Sequence, residues 1–176
     1  MQKTIEFEID QPKFAAALHA AVSVADRRSS NQPILASVLL RADAHGLSMT
    51  ATDMQVSVRE VLDAAAISHG GVCVNIAHLL NVVRTLPAKP LRIKGLENHW
   101  AQLSVGRSEF KLMGQAPGDF PELPDTRGIK FTRVPGHTLS DLIQKTQFSV
   151  STDEARVNLN GVLFESNGEI GTMVST

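Results

Sequence analysis

The sequence contains a single cysteine, Cys73, so an internal disulfide is excluded. Such low cysteine usage fits a reducing compartment. The N-terminal stretch MQKTIEFEID alternates polar and apolar residues and lacks the apolar centre of a signal peptide. No apolar run in the sequence approaches the roughly 20 residues that a helix needs to span a bilayer. These absences predict a soluble, cytoplasmic protein that does not associate with membranes.

The chain also lacks an excess of positive charge, because its formal net charge is −1. A strongly basic balance would indicate nucleic-acid or membrane binding, and none is present. If the protein binds DNA, its basic groups must be collected on one face. The hydrophobic content of 43% is sufficient for a packed core. The length of 176 residues fits one domain and part of another.

Motifs of common enzymes are missing as well. The sequence contains no glycine-rich nucleotide-binding loop, no serine nucleophile elbow and no zinc-binding His-Glu-x-x-His pattern. Asp53 ends a predicted strand and is expected to close a tight turn through its side chain. Asp153 and Glu154 are adjacent, so their carboxylates point apart and pair with no base or nucleophile. The sequence therefore predicts no catalytic residue, no metal site and no cofactor.

An internal repeat of strand, helix and three strands is the dominant pattern. The strand period of TIEFEI is followed by a helical pattern that begins at Pro12 and carries Phe14, Leu18 and Val22 on one face. Three short strands follow, ILASVLLRA, GLSMTAT and QVSVREVL. The same order then recurs as GVCVNI, the helix AHLLNVVRTL, and the strands PLRIKGL, WAQLSVG and EFKLMG.

The repeat predicts an α+β fold in which helices cover one face of antiparallel sheet. Residues 1–116 are predicted to form a first domain of two repeated units, and the proline-rich residues 117–128 an extended linker. Residues 129–176 begin a third repeat with the strand IKFTRV and a helix whose apolar residues point inward. Two further strands, joined by an Asn-Gly turn, complete the sequence. Since this third repeat is incomplete, we expect a truncated second domain.

Basic residues accompany each predicted helix on its polar side or at its exit. Lys13 and Arg27 lie off the apolar stripe of the first helix, and Arg28 continues into the following loop. Arg84 lies off the stripe of the second helix, and Lys145 off that of the third. These residues are either ordinary solvated helix surface or one basic face, and the repeat would place them side by side.

Three segments resemble a known family. PILASVLLRADAHGLSMTATD, FKLMGQAPGDFPELP and TQFSVSTDEARVNLNGVLFES are similar to the bacterial sliding clamp, the β subunit of the replicative DNA polymerase. The resemblance runs from the N-terminus to residue 176. It implies the DNA-clamp fold, with the first of three similar domains, a linker and about half of the second. In that family two chains close head to tail into a ring around duplex DNA.

The resemblance also implies roles for individual residues. Arg156 would face the DNA, together with the helix-associated Arg27, Arg28, Arg84 and Lys145. Leu159 and Thr176 would form part of the pocket that binds short peptides of DNA polymerases and the clamp loader. Phe110 and Leu112, on one face of an outer strand, would contact a second clamp subunit. The implied function is that of a processivity factor that encircles double-stranded DNA without sequence specificity and has no catalytic residues.

Two other functions remain open from the residues. A truncated or divergent clamp copy could serve as a protein-interaction module that cannot close a ring. An α+β enzyme could assemble its site from distant residues, which would require a closed pocket with convergent carboxylates or histidines.

Overall fold

The computed structural model describes residues 4–25, 32–43, 46–126, 128–153, 155–156 and 159–176. The chain folds into two compact units, Met1–Pro124 (unit 1) and Asp125–Thr176 (unit 2). Unit 1 contains two helices and ten strands in its described residues, and their order follows the predicted repeat. They are β1 (Glu6–Asp10), α1 (Gln11–Ala21), β2 (Ser37–Asp43), β3 (Gly46–Thr52), β4 (Ser57–Leu62), β5 (Ala65–Ser68), β6 (Gly70–Asn75), α2 (Ile76–Thr85), β7 (Pro90–Gly95), β8 (Ala101–Val105), β9 (Ser108–Leu112) and β10 (Gly114–Gln115).

The strands of unit 1 form two antiparallel sheets, and each sheet mixes strands of both repeats. Sheet 1 has the order β5-β1-β7-β8-β9, and sheet 2 has the order β10-β6-β2-β3-β4. Strand β1 of the first repeat therefore pairs with β7 of the second, while β6 of the second repeat pairs with β2 of the first. The repeats exchange their first strands, so neither sheet is complete without the other repeat.

Local sequence signals begin and end the two helices. Pro12 occupies the first turn of α1, where its missing N–H has no intrahelical partner. The side chain of Asn75 caps α2 by accepting a hydrogen bond from the backbone N–H of His78 at 3.0 Å. Helix α2 ends at Thr85, just before Leu86 and Pro87. A proline disfavours the helical conformation of the residue before it, which explains this end point.

One hydrophobic core joins both sheets and both helices of unit 1. Phe7 of β1 and Phe14 of α1 are fully buried, and their rings meet edge to face with centroids 6.3 Å apart. The helices are also linked directly, because the buried Gln11 Nε2 donates a hydrogen bond to the carbonyl of Val83 at 2.7 Å. This bond satisfies an amide that would otherwise be costly to bury.

The chain crosses from sheet 1 to sheet 2 after β9, and Gly114 is the first residue of β10. A side chain at this position would collide with the carbonyl oxygens of His99 and Cys73, so the close backbone approach requires glycine. Neither β10 nor β5 is predicted by the sequence pattern. Both strands are short and lie at the edges of their sheets, where pairing partners rather than alternation decide the conformation.

We expected the linker, residues 117–128, to be extended, but its first residues are not. Pro117–Asp119 forms a 3-10 turn. Phe120 is only 6% exposed and packs with Leu39 and Cys73 in a small second core. This apolar contact holds the start of the stretch against unit 1, which extends to Pro124. The division into domains at 116 and 129 stays a prediction.

Unit 2 contains α3 (Gly136–Thr146) and the hairpin of β11 (Leu163–Ser166) and β12 (Gly171–Val174). The predicted Asn-Gly turn closes this hairpin. The side chain of Asn167 accepts hydrogen bonds from the N–H groups of Glu169 and Ile170 at 3.0 and 2.8 Å. Gly168 has a φ of +95°, a conformation that glycine adopts without strain.

The strand predicted for residues 129–134 is wrong. These residues form no strand, and Ile129 and Phe131 are 55% and 77% exposed. An alternating pattern becomes a strand only when a neighbour supplies ladder hydrogen bonds. Among the described residues of unit 2, β11 and β12 pair only with each other.

The apolar face of α3 is also less covered than predicted. Leu139 and Leu142 are half-buried, Ile143 is 39% exposed, and no residue of α3 is fully buried. Every residue of β11 is exposed. Unit 2 therefore has far less of a core than unit 1. In the described part of the chain, no helix is both long and apolar enough to cross a membrane.

We expect the backbone amides of β11 to exchange with solvent much faster than those of β2. Strand β2 is central in its sheet and mostly buried, whereas β11 is exposed and has a single neighbour. Hydrogen exchange followed by NMR or mass spectrometry measures the difference. The amides of the central strand β7 serve as an internal control, because they should match β2. Equal protection of β11 and β2 would contradict the expectation.

Candidate functional site

Arg84 lies in the last turn of α2 and is exposed. Its Nη2 lies 2.9 Å from Nδ1 of His19, which is in the last turn of α1. A guanidinium only donates, so Nδ1 accepts this hydrogen bond. The bond orients the guanidinium between the two helices and leaves its positive charge at the surface. A cation at a helix C-terminus is also favoured by the helix dipole.

Lys13 differs from Arg84 because an acidic partner compensates its charge. Its Nζ lies 3.0 Å from Oδ2 of Asp63. This hydrogen bond, together with the attraction between the charges, raises the pKa of Lys13 above its usual value. Lys13 is thus less available to a polyanion than Arg84.

The remaining helix-associated cations are Lys145, Arg27 and Arg28. Lys145 is exposed in the last turn of α3. Arg27 and Arg28 lie outside the described residues.

The segment around Arg156 is a tight loop. Asp153 Oδ1 accepts a hydrogen bond from the N–H of Ala155 at 3.0 Å, and the N–H of Arg156 donates to the Asp153 carbonyl, also at 3.0 Å. Arg156 Nε lies 3.6 Å from Asp153 Oδ2, and both side chains are more than half exposed. The carboxylate of Asp153 thus shapes a turn and orients a cation. No nucleophile or base within the described loop pairs with it.

Leu159 and Thr176, the predicted pocket residues, both belong to unit 2. The half-buried Leu159 accepts a hydrogen bond at its carbonyl from the N–H of Ser151 at 3.0 Å. Next to the exposed Thr176, Ser175 Oγ lies 2.6 Å from Ser149 Oγ. Leu159 is thus bonded to Ser151, and the residue before Thr176 is bonded to Ser149.

Phe110 and Leu112 lie on β9, the outermost strand of sheet 1. They face the buried residues Leu103 and Ala101 across the ladder, so both point to the core side of the sheet. Leu112 is half-buried and packs against the main core, whereas Phe110 is 37% exposed. Lys111 points to the opposite face, as strand alternation requires. Of the two, Phe110 has more surface to offer a partner.

Two groups with potential reactivity have structural roles. Asp53 Oδ1 accepts hydrogen bonds from the N–H groups of Val56 and Gln55 at 2.6 and 2.9 Å, and these bonds lower the pKa of the carboxyl. Asp53 therefore closes the β3–β4 turn, as predicted. Burial raises the pKa of the Cys73 thiol to about 12, which keeps it protonated and unreactive. Within the described residues, no three His, Cys, Asp or Glu side chains are grouped to hold a metal ion.

Comparisons with known proteins identify similar chains. A family model described as "DNA polymerase III beta subunit, N-terminal domain" matches residues 5–124. The beta sliding clamp of Vibrio cholerae is 32% identical over 173 residues, which cover 98% of this chain and 47% of that protein. The beta sliding clamp of Escherichia coli K12 is 34% identical over 146 residues, which cover 82% of this chain and 40% of that protein.

Solved structures are similar as well. The crystal structure of a DnaN sliding clamp from Pseudomonas aeruginosa, bound to griselimycin, matches with a TM-score of 0.85 and 31% identity. The match covers 98% of this chain and 47% of that one. The predicted clamp fold is thereby confirmed. The chain spans about half the length of the curated relatives it matches.

We expect the thiol of Cys73 to resist alkylation at pH 8 in the folded protein and to react rapidly in denaturant. A pKa of about 12 leaves almost no thiolate at pH 8 in the folded state, while an unfolded thiol has a pKa of about 8.5. Labelling with iodoacetamide, followed by intact-mass measurement with and without urea, tests this. Rapid labelling of the folded chain would contradict the burial described for Cys73.

Proposed function

Because the chain belongs to the family of DNA polymerase III β subunits, the sliding clamps, we propose that it forms part of a ring around duplex DNA. The observation that carries the proposal is the match to solved clamps over 98% of this chain, with a TM-score of 0.85. In this role the protein is a processivity factor of the bacterial replicative polymerase. It holds the polymerase on the template and catalyses no reaction itself.

The proposed contact with DNA is electrostatic. Arg27, Arg28, Arg84, Lys145 and Arg156 are assigned to face the phosphates. Such contacts carry no sequence information, so the ring can slide along any duplex. A formal net charge of −1 is compatible with this role, because topological enclosure rather than affinity retains the DNA. The orientation of Arg84 by His19 at 2.9 Å supports its assignment, since the charge stays at the surface between α1 and α2.

The proposed partner site comprises Leu159 and Thr176, which would bind short peptides of DNA polymerases and the clamp loader. Support comes from the bond between the Leu159 carbonyl and the Ser151 N–H, and from the contact of Ser149 with Ser175, the residue before Thr176. The Pseudomonas aeruginosa relative is bound to griselimycin, so a clamp of this family does bind ligands. No membrane partner is proposed. The cytoplasm, where bacterial DNA is replicated, is the proposed location.

The proposed ring interface is the outer edge of β9, where Phe110 would pack against a second clamp subunit. An edge strand offers unpaired backbone groups that another strand can pair with. For the 176-residue chain alone we propose a monomer or a weak edge-to-edge dimer. The alternative function, a protein-interaction module that cannot close a ring, shares the peptide pocket and differs in lacking DNA enclosure.

We expect Arg84→Gln to lower the salt dependence of binding to linear duplex DNA. Removal of one phosphate contact reduces the slope of log K against log salt by about one unit. Arg59→Gln is the matched control: Arg59 is exposed on β4, next to Val58, which packs against the core, so Arg59 points to the other face. Fluorescence anisotropy titrations at increasing salt concentrations give the slope of log K against log salt for each variant. Equal slopes for the Arg84 variant and the unmodified chain would refute this DNA contact.

We expect Phe110→Asp to abolish any self-association of the chain, because a carboxylate cannot pack against an apolar partner surface. Val61→Asp is the control, since Val61 is 69% exposed on β4, the edge strand of the other sheet. Sedimentation velocity over a concentration series measures the self-association of both variants, and thermal melting verifies that each variant is folded. A stable ring-sized oligomer of the 176-residue chain, or one unaffected by Phe110→Asp, would contradict the interface.

A further inference from the structure

The side chain of Asn160 lies inside the loop that carries Arg156. With the amide nitrogen facing the backbone, Nδ2 lies 3.1 Å from the carbonyl oxygen of Ser151, 3.1 Å from that of Asp153 and 3.2 Å from that of Arg156. The amide nitrogen carries two N–H donors, so it can donate to these acceptors with one bond shared. The opposite orientation would place the amide oxygen against three carbonyl oxygens. The hydrogen-bond network therefore assigns the orientation in which the amide nitrogen faces them.

Backbone hydrogen bonds close the loop around this amide. The N–H of Arg156 donates to the Asp153 carbonyl at 3.0 Å, and the N–H of Leu159 donates to the Arg156 carbonyl at 2.8 Å. The N–H of Ser151 donates back to the Leu159 carbonyl at 3.0 Å. Asn160 thus contacts three points of a segment, Ser151, Asp153 and Arg156, that contains no α-helix or strand in its described residues.

The same amide restrains both members of the Asp153–Arg156 ion pair. The carbonyls of both residues accept from Asn160, so their backbones are held at one spacing. At this spacing Arg156 Nε lies 3.6 Å from Asp153 Oδ2. An exposed ion pair alone is too weak to hold a long side chain in place. The hydrogen bonds from Asn160 to the backbone therefore restrain the position of Arg156 more firmly than the ion pair alone could.

We infer that Asn160 is a positioning residue that fixes the loop and thereby aims the Arg156 guanidinium at the phosphate backbone. The inference rests on the proposed function, in which Arg156 contacts DNA. In this proposal Asn160 acts on DNA binding only through Arg156. Because Leu159 is bonded within the same loop, Asn160 also fixes the backbone of one wall of the proposed peptide pocket. A purely stabilising asparagine would affect unit 2 as a whole and leave the DNA contact unchanged.

The first test measures the loop directly and needs no DNA. Asn160→Ala removes the amide, and Asn167→Ala is the matched control, a neutral asparagine that organises the β11–β12 turn of the same unit. Without Asn160, the amides of Ser151, Arg156 and Leu159 are expected to exchange about five- to tenfold faster, the effect of one lost hydrogen bond. The control should leave these three amides unchanged. Unchanged exchange in Asn160→Ala would overturn the inference.

The second test measures DNA binding by a double-mutant cycle. Arg156→Ala should lower the salt slope by about one unit, Asn160→Ala should lower it part of the way, and the double variant should equal Arg156→Ala. Asn167→Ala should leave the slope unchanged. If the Asn160 and Arg156 effects add in full, or if Asn160→Ala changes nothing, the positioning role is overturned. If Arg156→Ala leaves the slope unchanged, the proposed DNA contact fails, and the exchange measurement alone decides the role of Asn160.

Discussion

The exchange of first strands between the two repeats is the constraint on which unit 1 depends. Strand β1 is hydrogen-bonded to β7, and β6 is hydrogen-bonded to β2, so each sheet contains strands from distant parts of the chain. Fully buried side chains such as Phe7 and Ile93 become part of one core through this exchange. Neither repeat can bury its apolar face alone, and unit 1 is expected to fold as one cooperative body.

The strand exchange also brings the two helices together. The bond from Gln11 to Val83 and the bond between Arg84 and His19 both connect α1 of the first repeat with α2 of the second. Arg84 of α2 is thereby oriented by His19 of α1, a residue far from it in the sequence. The polar surfaces of the helices can act as one face because the core beneath them is shared. This is how a chain without net positive charge can hold an oriented cation at its surface.

Unit 2 depends on local bonds to a greater extent. With no fully buried residue in α3, its order relies on polar contacts such as those of Asn160 and Asn167. Such contacts persist at the surface because they satisfy backbone groups that lie close along the chain. The Asp153–Arg156 pair and Leu159 are positioned in this way. The pattern of the sequence indicated the Asn-Gly turn, but it gave no signal that the Asn160 side chain bonds the backbone of its own loop.

The sequence by itself determined the order of helices and strands in unit 1, because hydrophobic periods of 3.6 and 2 are local properties. It also determined the turn at Asp53 and the ends of α2, where capping and proline act within a few residues. The sheet pairing, the edge strands β5 and β10, and the packing of Phe120 against Cys73 were decided only by the tertiary structure. They depend on contacts between residues far apart in the chain, which no local period encodes. The same reason explains the failure at residues 129–134: alternation favours a strand, but only a neighbouring strand can complete it.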